Sequence, residues 1–142
     1  MGLRLSLKPN EMLIVNGCVI RNADRRQVLV IENQADVIRE VDLLDPNDAA
    51  TPVKQVYFFI QSALLQPEIR DQIVPVIQEK LGKLAVVFEE GTAEHIFQAA
   101  QHVSLGDYYK AIGALRPVLR REAQLLDLIE AKNQQLKPDS AA

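Results

Sequence analysis

The residues best suited to chemistry in this chain are cations: Arg4, Lys8, Arg21, Arg25, Arg26 and Arg39, all within residues 1–45. Arg4 and Lys8 stand four positions apart in an alternating stretch. An extended backbone therefore sets both on one face, opposite Leu3, Leu5 and Leu7. Arg21 follows a hairpin signal, and Arg25-Arg26 occupies a turn from which long side chains reach outward. Guanidinium and ammonium groups so placed bind phosphate. Arg25 and Arg26 suit the nucleic-acid backbone, and Arg4, Lys8 and Arg39 suit positions nearer the bases. A plainer role for the same charges is to keep strand edges from pairing with other chains.

Other chemistries find little support. His95 and His102 are seven residues apart, two helical turns, too far to ligate one metal together, and no other His or Cys supplies i, i+4 spacing. Gly82 and Gly91 stand alone, without the spacing of a phosphate-binding loop. Ser6, Ser62, Ser104 and Ser140 lack the surroundings of an activated nucleophile. No enzyme activity, metal or cofactor is expected. Cys18, the single cysteine, reads as a small strand residue.

A net charge of −3 sets a condition on nucleic-acid binding. Affinity for phosphate comes from nearby Lys and Arg, so an RNA site here must arise by local clustering, doubled by dimer symmetry. The strands carry no aromatic residue to stack on bases, because every Phe and Tyr lies between Tyr57 and Tyr109. DNA binding is not expected. No apolar run approaches the roughly 20 residues of a membrane span, and Arg4, Lys8, Asn10 and Glu11 interrupt any signal-peptide core. A soluble cytoplasmic protein is the expectation.

Five short apolar runs must position the cations. Leu3 to Leu7 alternates with period two, Met12-Leu13-Ile14-Val15 is wholly apolar, and Asn16-Gly17 is a strong type I′ hairpin signal. Val19-Ile20-Arg21, Val28 to Ile31 and Val37 to Val41 complete what reads as a meander. So small a β unit, residues 1–45, needs another surface to cover it, either the helical half or a second chain. A homodimer is expected on that ground.

Asp45-Pro46-Asn47-Asp48 marks the change of period from two to 3.6. Four helices are then expected across residues 46–137, with a frayed tail over 138–142, giving an α+β fold. Thr51-Pro52 caps the first helix, whose face of Val53, Val56, Tyr57, Ile60 and Leu64 suits the centre of the fold. Pro75 should kink the second or end its first turn. Thr92 is expected to cap the third, with Ile96, Phe97, Ala100 and Val103 inward. Asp107 caps the last, which from Tyr108 to Leu136 would span about 43 Å at 1.5 Å per residue.

That last helix offers a second surface. Arg116 and Arg120 share one face, and a nearly heptad seam runs through Leu115, Leu119, Leu126, Ile129 and Leu136, interrupted by Glu122 and Asn133. Arg116, Arg120, Leu126 and Ile129 are the residues expected to meet a protein partner.

The ordered run of short motifs has a family likeness. Leu5-Ser6-Leu7-Lys8-Pro9-Asn10-Glu11, Ile14 to Arg21, Asp48 to Pro52, Gln55 to Gln61 and the Ala111 to Val118 region resemble the flagellum-biogenesis repressor family FlbT. The resemblance implies action after transcription: association with the 5′ untranslated leader of flagellin mRNA and lowered flagellin synthesis, opposed by the companion regulator FlaF. The strand order around Asn10 to Gly17 is also similar to the CsrA-type translational regulators, which grip leader RNA with their first and last strands. Lys8 falls where those carry a basic residue, and Leu7 replaces the second. The competing expectation is a chaperone-like adaptor that binds FlaF or flagellin through the long last helix.

Overall fold

Strand pairing is decided by which apolar faces can cover one another, and that puts neighbours in sequence apart. The computed structural model describes residues 2–136, so the tail expected over 138–142 lies outside the described residues. The strands are β1 (Leu3–Leu7), β2 (Met12–Val15), β3 (Cys18–Arg21), β4 (Gln27–Ile31) and β5 (Val37–Arg39). They form two antiparallel sheets, β1–β4 and β3–β2–β5. The expected meander is therefore corrected: only β2 and β3 pair as sequence neighbours. A meander would pair β1 with β2 and place β4 beside β3, whereas β2 here takes β3 and β5 as its two neighbours. Instead β4 returns to β1, with Leu5 opposite Leu29 and Leu3 opposite Ile31. Asn22 helps redirect the chain, its side-chain amide donating to the carbonyls of Lys8 (2.8 Å) and Arg25 (2.9 Å).

The hairpin joining β2 and β3 has both central residues in the left-handed region, Asn16 at φ 49° and Gly17 at φ 79°. β2 is the middle layer, and this explains its wholly apolar run. Its odd residue Leu13 faces the β1–β4 sheet, in a small core with Leu5 and Leu7. Its even residue Ile14 faces the helices, in the main core with Ile38 of β5. The helical half thus supplies the covering surface that the β unit lacks.

Four helices follow: α1 (Pro52–Leu65), α2 (Arg70–Ala85), α3 (Glu90–Ser104) and α4 (Tyr108–Leu136). Central α1 packs on α2 and α4 with Val53, Val56, Ile60 and Ala63 fully enclosed. Its cap is as expected, Thr51 accepting from the Lys54 amide. A second cap comes from far along the chain: buried Glu122 of α4 accepts from the Val53 amide at 3.0 Å and from the Thr51 hydroxyl. Gln61 and Tyr57 tie the connecting segment to α1. Gln61 both donates to and accepts from the Leu44 backbone, and the Tyr57 hydroxyl donates to the Asp42 carbonyl at 2.7 Å. Burial raises the Tyr57 pKa, with nearby Arg116 opposing it.

Three local expectations are corrected. Of the two outcomes expected at Pro75, an end to the helix is excluded: α2 runs through this exposed residue, preceded by a separate 3-10 turn at Pro67–Ile69. α3 begins at Glu90 with Glu89 as its cap residue, and Thr92 lies inside the first turn donating back to the Glu89 carboxylate at 2.6 Å. Phe97 is 63% exposed, since Ile96, Ala99 and Val103 already fill the inner face of α3.

Candidate nucleic-acid interface

The turn after β1, residues 8–11, and the turn before β4, residues 22–26, lie against each other. Asn10 donates its amide to Ala23 (2.8 Å), and Asn22 donates its amide to Glu11 (2.9 Å). Asn10 adopts φ 62°, a left-handed conformation that asparagine tolerates, which lets the chain reverse after Pro9. The sequence-expected cations collect around this pair of turns. Arg21 donates to the Asn10 carbonyl at 3.0 Å, Arg26 to the Ser6 hydroxyl at 3.3 Å, and Arg39 to the Ser6 carbonyl at 2.7 Å. Lys8 and Arg25 are joined through the Asn22 side chain that both carbonyls share. Arg4 sits further back on β1, opposite Val30, on the face that also carries Ser6 and Val28.

Charge is distributed unevenly over this cluster. Glu11 is the organising carboxylate, a role that the sequence alone did not reveal. It accepts from the Lys8 amide at 2.9 Å and from Arg39 at 2.7 and 3.1 Å. The Lys8 amide first, then the Arg39 guanidinium, hold its carboxyl below the ordinary 4.5. Glu40 is likewise spent on structure, accepting from the Met12 amide at 3.2 Å. Among the described residues, Arg4, Lys8, Arg21, Arg25 and Arg26 form no ion pair, and all five are exposed. Each arginine carries five N–H donors and uses few of them internally, leaving the rest for phosphate oxygens. Beside the cluster lies an open recess of about 460 Å³ lined by Lys8, Glu11, Arg39, Glu40 and Val41.

Glu11 also gives a pH expectation. A carboxyl with a depressed folded pKa holds the structure together above its unfolded value and releases it as pH falls through the folded one. The Lys8 amide should therefore exchange faster as pH drops below 4.5, after correction for intrinsic exchange rates, and Glu11→Gln should show the faster exchange already at neutral pH. Equal protection at neutral pH in both proteins would mean that Glu11 does not organise the turn.

The second set of residues is not gathered in the same way. Arg116 pairs with Asp42 of the connecting segment at 3.5 Å and acts as a tie between the two halves. Arg120, Leu126 and Ile129 are exposed on α4. Among the described residues no three His, Cys, Asp or Glu side chains converge as a metal site would require. No described helix is long and apolar enough to cross a membrane.

Comparison with known proteins settles the lineage. The family model "Flagellar protein FlbT" matches residues 3–126, which span all five strands, α1 to α3 and most of α4. The chain belongs to the FlbT family. It is 33% identical over 127 residues to the "Flagellum biosynthesis repressor protein FlbT" of Caulobacter vibrioides, covering 89% of this chain and 90% of that protein. The "Probable flagellum biosynthesis repressor protein FlbT" of Rhodopseudomonas palustris is 36% identical over 129 residues, covering 89% and 98%. The probable FlbT of Brucella abortus is 31% identical over 126 residues, covering 88% and 82%. No solved structure matches. The FlbT match includes every cation of the cluster and stops just as α4 leaves the body of the fold.

Proposed function

We propose that the chain represses flagellum biosynthesis after transcription, by associating in the cytoplasm with the 5′ untranslated leader of flagellin mRNA and lowering flagellin synthesis. Family membership and the repressor names of the relatives support the regulatory part. The observation that carries the RNA part is the gathering of the exposed, unpaired Lys8, Arg21, Arg25 and Arg26 at the paired turns beside Ser6 to Asn10. Arg25 and Arg26 hold phosphate there, Arg21 adds a third contact, and Arg4, Lys8 and Arg39 flank the strand. An acidic molecule binding in this way has modest affinity, strongly dependent on salt.

The test is titration of the purified protein with labelled flagellin leader RNA across a salt series. Binding should weaken steadily as salt rises. Changing Arg25→Ala together with Arg26→Ala should lower affinity about tenfold and flatten the log–log slope by roughly 1.4, at ~0.7 per phosphate contact on a single strand. Absence of binding at low salt would overturn the reading. If such a protein instead captured purified flagellin or FlaF, the adaptor alternative would replace it.

A further inference from the structure

The end of α4 projects from the molecule. Every residue from Leu126 to Leu136 is exposed, with Ile129 at 55% and Leu136 at 70%. This arm of about 15 Å continues the stripe that Leu115, Val118 and Glu122 bury further back. Where the arm departs, α1, α2 and α4 leave an open groove of about 410 Å³ walled by Pro52, Val56, Leu84, Val87, Phe88 and Leu126. Lys80 and Lys83 of α2 stand on its rim.

We propose that this groove receives the α4 arm of a second copy of the chain, in a two-fold pair of crossed helices. Two observations select that occupant. Leu126 belongs to both the arm and the groove wall, so a two-fold axis beside it lays each arm into the other copy's groove, as a self-complementary contact requires. The charges also match. Asp127 and Glu130 flank the arm's stripe at i, i+3, and Lys80 and Lys83 flank the groove at the same spacing. Neither acid has an ion-pair partner among the described residues. Lys80 lies 5.6 Å over the Phe59 ring, and Lys83 meets Glu79 at 3.3 Å in a highly exposed pair that exchanges readily. The inference stands independently of RNA binding.

Sedimentation equilibrium of the full chain over a concentration series tests it. A monomer–dimer equilibrium is expected. Ile129→Glu with Leu136→Glu, both remote from the body, should raise the dimer Kd about a hundredfold with the helical circular dichroism unchanged. Lys80→Glu with Lys83→Glu should weaken self-association, as should Asp127→Lys with Glu130→Lys. An equimolar mixture of those two charge variants should dimerise, because each groove then meets an arm of opposite sign. A monomer at every concentration, a dimer indifferent to the arm variant, or variants that fail to rescue each other would overturn the proposal. So would a monomer whose arm instead binds flagellin.

Discussion

Glu122→Ala is expected to destabilise the fold by about 3 kcal/mol, measured by urea denaturation at neutral pH. The side chain is buried, yet it faces the N-terminus of α1, where a hydrogen-bond acceptor is welcome. Val53 is the second residue of α1, and its amide has no partner inside the helix. Glu122 accepts from that amide and from the Thr51 hydroxyl, while Thr51 in turn accepts from the Lys54 amide. The positive end of the α1 dipole adds to the attraction. Alanine removes the acceptor, leaves the Val53 amide enclosed without a partner and opens a void between α1 and α4. Glu122→Gln keeps the shape and one acceptor, so its cost should be smaller, about 1 kcal/mol. An alanine variant within about 0.5 kcal/mol of the parent would show that solvent caps α1 as well as Glu122 does.

The same residue shows where sequence reasoning stops. In the helical period of α4, Glu122 is an interruption of an apolar seam, because the period records only which face turns inward. What the face meets there, an open helix end 69 positions earlier, is set by tertiary packing. Signals that depend on a few adjacent residues were legible. Asn16-Gly17 gave the hairpin, Thr51-Pro52 and Asp107 the starts of α1 and α4, and the apolar run Met12–Val15 a strand. The pairing of β1 with β4 was not legible, since alternation identifies a strand without naming its neighbour. The candidate site divides in the same way. Residue type marked the cations, and the turn composition marked Arg25-Arg26. Their assembly depends on Arg39 reaching Ser6 across 33 positions and on Asn22 and Glu11, whose importance lies in what they hold together.

Leu13→Ala and Ile14→Ala should each cost about 3 kcal/mol, and the manner of unfolding is more informative than the size. The two residues are adjacent on β2 but belong to different cores, Leu13 between the sheets and Ile14 against the helices. Both are almost completely enclosed, at 1% and 2% exposure, so each truncation leaves a void that neighbours fill only in part. Three tyrosines, Tyr57, Tyr108 and Tyr109, lie in the helical half, so tyrosine fluorescence reports on that half alone. Amide exchange in β1 and β4 reports on the outer sheet. If β2 couples the layers, Leu13→Ala should shift the tyrosine midpoint as far as Ile14→Ala does, with the strand amides losing protection in the same transition. A tyrosine midpoint unmoved by Leu13→Ala would mean that residues 1–45 melt as a unit of their own. The ties from Arg116 to Asp42, from Tyr57 to Asp42 and from Gln61 to Leu44 argue for one transition, because opening either half strips partners from the other.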